Sequence, residues 1–447
     1  MQLFKKIVVT VMMWESRIII SKYKPFIVAV TGSVGKTSTK DAVYSVLKNS
    51  SKYARKSEKS MNSEIGLPLT IIGVPNAWKS LSGWMRNIFK GLEIIIWRAD
   101  YPDCLILEIG ADHPGDIEKV TKWLHPDIVV MTKVSQTPVH VEFFTSPEDV
   151  FKEKAFLAKA VKVGGTLVLL ADDEKIMGLA IPSVGENAKN IGGEHIQRVV
   201  SYGITEKSDI RGSDVVFDYS SNSAGQYLIG TSFNLSVGGN VTKININGVL
   251  GNAYMYPLLA ATAVGQAKGM LSGDIIEGLN EYKAPLGRMN IIPGINDSTI
   301  IDDTYNSSPD AVLSALDALV RVETSGRKIV VLGDMMELGK YASDEHRRVG
   351  SRVSEVASLL VTVGPRSKLA TVEGALSGGM SANKIHDFDS SDEAGRYVSS
   401  VVAVGDVVLV KGSQSMRMER VSVVLLRDPA RAGELRVRQE AEWLEKK

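Results

Sequence analysis

The sequence predicts an α/β protein. A central domain has a phosphate-binding loop, a parallel sheet and a small antiparallel β insert, and a Rossmann-like α/β domain follows it. Short apolar runs alternate with helical stretches along most of the chain, which is typical of a parallel sheet covered on both faces. A glycine-rich loop follows the first apolar run and opens a helix. Between Val199 and Val249, alternating segments with Ser, Asn and Gly turns indicate the insert.

The order of these elements divides the chain into three parts. The predicted strands of the central sheet are Phe26–Thr31, Cys104–Ile109, Asp127–Thr132 and Thr166–Leu170. The predicted helices of that domain are Thr37–Leu47, Pro147–Val161 and Tyr256–Gly269. A hinge is expected at Pro285–Arg288, and the strands after it are Ile329–Leu332, Leu359–Val363 and Val407–Val410. We therefore expect an N-terminal amphipathic helix (1–25), a central domain that carries the glycine-rich loop (26–284) and a C-terminal domain (285–447).

Composition excludes several classes of protein. The 447 residues include 52 Lys and Arg against 51 Asp and Glu, so the net charge of +1 offers no basic excess for nucleic-acid binding. The single cysteine, Cys104, excludes an intrachain disulfide and a multi-cysteine metal site, and it suits a reducing cytoplasm. No apolar run reaches the ~20 residues of a membrane span, and no secretory cleavage pattern follows the N-terminus. We expect a cytoplasmic protein.

Two stretches combine helical apolar spacing with tryptophans and basic residues. The apolar positions of the first are Phe4, Val8, Val11, Trp14 and Ile18. Those of the second are Leu81, Met85, Ile88, Leu92 and Ile95. Such helices either pack on the body of a protein or lie on a membrane surface. Packing on the body is the favoured interpretation, and a weak association with a membrane surface stays open.

The most specific motif is the glycine loop, whose residues are Thr31, Gly32, Ser33, Val34, Gly35, Lys36, Thr37 and Ser38. Glycine lets the backbone curl so that its N–H groups face a phosphate, and the following helix N-terminus adds partial positive charge. Lys36 can reach terminal phosphates, and the Thr37 hydroxyl can coordinate Mg²⁺. A chance glycine turn is the alternative, but the strand–loop–helix context argues against it. The loop predicts triphosphate binding without specifying the reaction.

A carboxylate at the end of a predicted strand is the next candidate. Glu108 closes the buried run at the carboxyl edge of the sheet, where ligands bind in open α/β folds. A buried carboxylate needs a counter-charge, and either a bound Mg²⁺ or a neighbouring lysine would supply it. His140 follows another strand end, and Lys154 lies in the helix that begins near Pro147. From the residues alone, His140 is interpreted as a structural or surface histidine, and Lys154 as a solvated charge on a helix.

Taken together, these segments resemble the Mur ligase family, ATP-dependent amide ligases of peptidoglycan synthesis. The resemblance runs from about Pro25 to the C-terminus and is closest to the branch that adds D-Ala-D-Ala to a UDP-MurNAc-peptide. The segments that carry it are TGSVGKTST (31–39), LEIGADHPGDI (107–117), HVEFF (140–144), GRM (287–289), IDDTYNSSPDA (301–311), VLGDMMELG (331–339) and VKGS (410–413).

The resemblance implies a metal site as well as a nucleotide site. Thr37 and Glu108 would hold a first Mg²⁺, and Glu108 and His140 would hold a second. Lys154 matches the lysine that carries CO₂ as a carbamate in this family, and a carbamate anion would support the metals. Catalytic roles are thereby implied for Lys36, Glu108, His140, Lys154 and Arg288.

Further positions are implied to contact ATP. Arg288 matches an arginine near the transferred phosphate, and Asp303 and Asn306 match nucleotide-contacting positions around the hinge. The complete set expected at the nucleotide is Thr31, Gly32, Ser33, Val34, Gly35, Lys36, Thr37, Ser38, Arg288, Asp303 and Asn306.

The sequence departs from the family pattern in two regions, one expected to bind the UDP group of the sugar substrate and one expected to bind the adenine of ATP. Only about 25 residues precede the glycine loop, fewer than the ~50 of a small domain, so the UDP end of the sugar is expected to be held differently. Asn62 lies in a segment that resembles the family's substrate-side loop, although a turn asparagine would look the same. On the adenine side, Pro257 and Leu170 stand where the family has asparagine. Recognition of the base is therefore expected to differ.

These observations lead to one principal function and two alternatives. The principal expectation is an ATP-dependent amide ligase that forms an acyl-phosphate intermediate and joins D-Ala-D-Ala to a UDP-MurNAc-peptide as a monomer. One alternative is a Mur-like ligase with another substrate, such as a folate that receives glutamate or a non-standard wall peptide. The other is a catalytically inactive binding module that retains the fold, against which the intact Lys36, Glu108, His140 and Lys154 argue.

Overall fold

The part of the chain that the structure describes is built on two β-sheets, one of nine strands and one of six. A computed structural model describes residues 2–58, 65–78, 80–180, 198–222, 225–435 and 437–438. Asn62, expected in the substrate-side loop, lies outside the described residues. The α/β class with two sheets agrees with the sequence prediction. The domain boundary near residue 285 stays a prediction.

The larger sheet is parallel at its centre and antiparallel at one side. Its strands are β1 (Phe26–Thr31), β2 (Ala54–Lys56), β3 (Cys104–Glu108), β4 (Ile128–Met131), β5 (Thr166–Leu170), β6 (Arg198–Gly203), β7 (Ile210–Asn222), β8 (Gly225–Val237) and β9 (Asn240–Asn247). The order across the sheet is β2-β3-β1-β4-β5-β6-β7-β8-β9, with pairing parallel from β2 to β7 and antiparallel from β7 to β9. The predicted insert therefore extends this sheet, because its first strand pairs with β5 in parallel.

Helices flank this sheet and position its loops. They are α1 (Gln2–Tyr23), α2 (Lys36–Leu47), α3 (Gly66–Ile72), α4 (Leu81–Ile96), α5 (Asp116–Thr121), α6 (Pro147–Lys159), α7 (Glu174–Met177), α8 (Met255–Ala267) and α9 (Ser272–Asn280). The start of α6 follows from its sequence, because the Ser146 hydroxyl accepts a hydrogen bond from the Asp149 amide and Pro147 takes the first helical position.

The smaller sheet belongs to the C-terminal half of the chain. Its strands are β10 (Asn290–Pro293), β11 (Thr299–Asp303), β12 (Lys328–Gly333), β13 (Leu359–Val363), β14 (Ile385–Phe388) and β15 (Val407–Lys411). Its helices are α10 (Pro309–Val320), α11 (Ala342–Val356), α12 (Val372–Ser377), α13 (Ser391–Val401), α14 (Glu419–Val424) and α15 (Ala432–Leu435). The order is β10-β11-β15-β12-β13-β14, with only β10 antiparallel to its neighbour.

The N-terminal helix packs on the body, and its buried side coincides only in part with the predicted apolar stripe. Val8, Met12 and Ile19 are buried, whereas Trp14 is 51% exposed. The same buried side carries Glu15, whose carboxyl group lies against Gly91 of α4. The predicted stripe was therefore wrong at Trp14, because glycine in α4 lets the smaller and polar side of α1 approach closely. Within the described ranges, no helix is both long and apolar enough to span a bilayer.

The buried Glu15 carboxyl makes stability depend on pH. Neither of its oxygens has a hydrogen-bond partner among the described residues, and burial raises its pKa from 4.5 to about 7. The folded protein therefore holds this proton more tightly than the unfolded chain does, so its contribution to stability is complete below pH 4.5 and is lost as pH rises through 7.

We expect Glu15→Gln to remove this dependence, because an amide stays neutral at every pH. The variant should exceed the wild type in free energy of unfolding by on the order of 1–3 kcal/mol at pH 8 and match it near pH 4. Chemical denaturation at both pH values measures the difference, with the exposed Glu206→Gln as the control. An equal difference at both pH values would contradict the assignment.

Candidate active site

One large cavity collects most of the residues that the sequence singled out. Its volume is about 1450 Å³, and its walls come from the carboxyl edge of the large sheet and from the C-terminal half of the chain. The predicted site residues that line it are Ser33, Val34, Gly35, Lys36, Thr37, Ser38, Glu108, His140, Lys154, Arg288, Asp303 and Asn306. Thr31 and Gly32 lie behind them, at the end of β1 and the start of the loop.

The glycine loop has a backbone that only glycine can adopt at its first turn. Gly32 has φ +143°, and a Cβ atom there would lie 2.0 Å from the Thr132 Oγ1. The amides of Ser33 and Val34 donate to the Lys133 carbonyl at 2.8 and 3.1 Å. The N–H groups in the first turn of a helix have no acceptor within that helix. In this protein the first turn of α2 follows the glycine loop directly. Such first-turn amides are suited to binding an anion.

Lys36 folds back over this loop. Its Nζ donates to the carbonyls of Gly32 and Ser33 at 3.0 and 3.3 Å. Burial lowers the pKa of Lys36, and the negative charge of Glu108 opposes that shift while the charge of Arg288 adds to it. The loop carbonyls thus hold the Lys36 amine over the glycine loop, where the charges of Glu108 and Arg288 both act on it.

The strand register places Glu108 beside the glycine loop. Glu108 pairs with Val30 of β1 and is 1% exposed. Its Oε2 lies 3.9 Å from the Nζ of Lys40, a buried lysine that the sequence analysis did not single out although it lies one helical turn after Lys36. A nearby lysine is therefore a counter-charge for Glu108. The Thr37 hydroxyl and the Glu108 carboxylate are also the oxygen ligands that Mg²⁺ prefers, so these two residues fit that metal.

His140 bridges the two halves of the chain. Its Nε2 lies 3.4 Å from Asp112 Oδ1, and its Nδ1 lies 2.8 Å from Glu337 Oε2. The hydrogen bond from His140 lowers the pKa of Glu337. Glu337 was missed as a site residue, although it lies in the segment 331–339 that carries the family resemblance. A second contact joins the same two halves of the chain, since the Thr137 hydroxyl donates to the Glu345 carboxylate of α11 at 2.6 Å.

Lys154 is a buried cation without an ion-pair partner. It lies on α6, is 4% exposed, and has no carboxylate within 4 Å among the described residues. Burial, together with a smaller effect from the charge of Lys36, lowers the pKa of Lys154 to about 7. The prediction of a solvated helix charge was therefore wrong, because α6 turns this side chain toward the cavity.

Arg288 reaches across the hinge to the glycine loop. Its Nη2 donates to the Thr37 Oγ1 at 3.2 Å, and its guanidinium lies 4.4 Å from the centre of the Tyr305 ring. Arg438 lies 5.6 Å from the same ring and ion-pairs with Glu419 at 2.7 Å. Tyr305 and Arg438 were not predicted, since an aromatic ring that fixes an arginine leaves no spacing signal in the sequence.

Asp303 and Asn306 line the cavity but have internal partners. Asp303 forms an ion pair with Lys411 at 2.6 Å, and Lys411 also donates to the Asn306 carbonyl at 2.9 Å. The Asn306 side chain accepts a hydrogen bond from the Ser307 amide. Their contact with a nucleotide stays a prediction. Across the described ranges, no group of three or more His, Cys, Asp and Glu side chains could hold a metal by itself.

Two domain models of known protein families together match most of the chain. Residues 30–82 and 92–265 match the Mur ligase middle domain, and residues 287–414 match the Mur ligase, glutamate ligase domain. The chain is similar to UDP-N-acetylmuramoyl-tripeptide--D-alanyl-D-alanine ligase of Mycobacterium tuberculosis, at 30% identity over 422 residues, which cover 90% of this chain and 73% of the relative. The Bacillus subtilis protein of that name is 26% identical over 404 residues, covering 90% and 76%.

Solved structures show the same similarity. MurF ligase from Thermotoga maritima in complex with ADP superposes with a TM-score of 0.71 at 25% identity, covering 93% of this chain and 83% of that one. MurF from Acinetobacter baumannii has the same fold, with a TM-score of 0.70 at 20% identity and coverage of 93% and 79%.

We expect Glu337→Ala to weaken the function of His140 without affecting the glycine loop, because the Glu337 carboxylate lies 2.8 Å from the His140 Nδ1. The Mg²⁺ concentration that gives half-maximal phosphate release should rise roughly 10–100-fold, the range for losing a residue that orients a metal ligand. ADP binding, measured by calorimetry without Mg²⁺, should stay unchanged. Asp344→Ala, which removes an exposed carboxylate of α11, is the control. An unchanged Mg²⁺ requirement in Glu337→Ala would contradict the role.

Proposed function

The chain belongs to the Mur ligase family, and we propose that it joins D-Ala-D-Ala to a UDP-MurNAc-peptide in peptidoglycan precursor synthesis, with ATP converted to ADP. The proposal rests on one observation above the others. Arg288 from the C-terminal half donates to Thr37 of the glycine loop, so a triphosphate held by the loop lies where both halves of the chain contact it. Curated relatives that align with 90% of the chain are named for this reaction.

The chemistry requires activation of a carboxylate. An amine cannot expel oxide from a carboxylate, so the terminal phosphoryl group of ATP is first transferred to it and an acyl phosphate forms. The amine of the dipeptide then attacks the acyl carbon, the C–O bond to phosphate breaks, and the amide forms with loss of a proton. Negative charge on the phosphoryl oxygens is the main obstacle, and fixed cations at the site stabilise it.

Each proposed catalytic side chain has a defined place in this reaction. Lys36 and the first amides of α2 bind the phosphates, and Arg288 stabilises the charge on the transferred group. Thr37 and Glu108 would hold Mg²⁺, which neutralises phosphate charge when bound. His140 is proposed as a ligand of a second Mg²⁺, although its imidazole nitrogen suits that metal less well than an oxygen does.

Lys154 is proposed to carry a carbamate. A buried ammonium with no carboxylate within 4 Å among the described residues is costly, and its reaction with CO₂ replaces the positive charge with a negative one. That anion would face Lys36, whose charge is among those that act on Lys154. Carbamylation would thus remove the repulsion between two lysines and add oxygen ligands to the cavity that Glu108 also lines.

The setting of the reaction is part of the same proposal. The substrates are small molecules, and we propose that the enzyme acts in the cytoplasm as a monomer with a peripheral membrane contact. We also propose the division into residues 1–25, 26–284 and 285–447, because the cavity and the contacts of Arg288 and His140 lie between the two larger parts.

We expect the purified protein to convert UDP-MurNAc-tripeptide, D-Ala-D-Ala and ATP into the pentapeptide product and ADP, as read by mass spectrometry. Lys36→Ala should reduce the rate by roughly 10²–10³, because one preorganised charge at the phosphates is lost. Lys52→Ala, an exposed lysine outside the cavity, should not change the rate. Amide formation with folates and glutamate alone would contradict the wall reaction, and equal activity of Lys36→Ala and wild type in cells would favour a binding module.

We expect Lys154→Ala to lose activity and to regain part of it with a small carboxylic acid, because the acid can occupy the place of the carbamate. Carbon NMR with labelled bicarbonate should show a carbamate signal in the wild type and none in Lys154→Ala. The exposed Lys159→Ala on the same helix should keep both signal and activity. Full activity of Lys154→Ala would refute the carbamate.

A further inference from the structure

Helix α4 presents its large apolar side chains to solvent. Its body-facing side consists mainly of small or polar residues at Gly83, Asn87 and Gly91, with Trp84 and Ile94. Its outer side carries four exposed apolar residues that lie along one ridge, Leu81 (63% exposed), Met85 (44%), Phe89 (62%) and Ile96 (65%). A surface helix normally has the opposite arrangement. The prediction that this stretch packs on the body through its apolar stripe was therefore wrong for Leu81 and Met85.

Specific contacts fix the helix in this orientation. The Asn87 side chain donates to the Pro75 carbonyl at 2.8 Å, and the Trp84 indole donates to the Trp78 carbonyl at 3.0 Å. Gly91 lies against the Glu15 carboxyl, where a Cβ atom would be 2.2 Å from an oxygen. Rotating α4 to bury the ridge would break both hydrogen bonds and bring larger side chains against α1. The exposed ridge is therefore a fixed feature of the fold.

Basic and aromatic residues border the ridge. Arg86 and Lys90 lie one turn apart on the exposed polar side of α4, and Arg98 follows the helix. Trp78 and Trp97, at the two ends of the helix, are 50% and 63% exposed. Lys90 lies 2.9 Å from the Glu93 carboxylate of the same helix, so its charge is paired there. Arg86 and Arg98 provide the local basic excess, whereas the net charge of the whole chain is only +1.

We propose that this surface, defined by Leu81, Met85, Phe89 and Ile96 with Arg86 and Lys90, binds peripherally to an anionic lipid bilayer. Apolar side chains enter the acyl boundary, tryptophans suit the headgroup level, and basic residues pair with lipid phosphates. The 16-residue helix is about 24 Å long, too short for a span of ~30 Å, so it lies in the plane of the interface. This inference rests on the proposed peripheral contact and is independent of the ligase reaction.

The test is co-sedimentation of the full chain with vesicles, without ATP or peptide substrates. Binding should be strong with vesicles that contain phosphatidylglycerol, weak with phosphatidylcholine alone, and reduced by salt. The double variant L81E/F89E should weaken binding more than about tenfold. R86Q/K90Q should weaken it roughly tenfold with anionic vesicles only. L369E, which changes an equally exposed leucine of the C-terminal half, is the control.

Three outcomes would overturn the proposal. They are no binding to anionic vesicles, equal binding by L81E/F89E and wild type, or a dimer in solution that L81E/F89E dissociates while vesicles stay unbound. Ligase turnover of each variant is measured separately without vesicles, because none of these residues belongs to the catalytic machinery. Absence of turnover in the wild type, with intact vesicle binding, would count against the proposed reaction and leave this inference standing.

Discussion

The position of β1 between β3 and β4 in a parallel sheet is the constraint on which the active site depends. Because parallel strands end at the same edge, the loop after β1, the carboxylate that ends β3 and the residues after β4 are brought together. The close approach of Gly32 to Thr132 and the amide bonds from the loop to Lys133 join β1 and β4 at that edge. Any side chain at Gly32 would separate the loop from β4.

The second organising feature is the contact between the two halves of the chain. Arg288 reaches the glycine loop from one side of the cavity, and the pair of His140 and Glu337 joins the halves at the other. The charged side chains that line the cavity come from both halves. Their arrangement therefore depends on the relative position of the halves.

Much of the fold could be predicted from local patterns. Strands β5 and β13 begin and end where the sequence placed them, because buried strands of a parallel sheet are continuous apolar runs. The antiparallel edge strand β10 was missed, as was β14, whose exposed charge pattern does not resemble a buried strand. The outward ridge of α4 was also missed, since periodicity shows that a helix has two faces but not which face meets the body.

The sequence by itself determined the α/β class, the phosphate loop and, through resemblance, which side chains to examine for catalysis. Tertiary structure alone decided their partners. Lys40 beside Glu108, Glu337 on His140 and Tyr305 under Arg288 are contacts between residues distant in the chain. The spacing of residue types along the chain predicts backbone conformation, because the conformation of a residue depends mainly on its neighbours in the sequence. Burial and electrostatic pairing depend on which distant segments share one space, and only the packed structure fixes this.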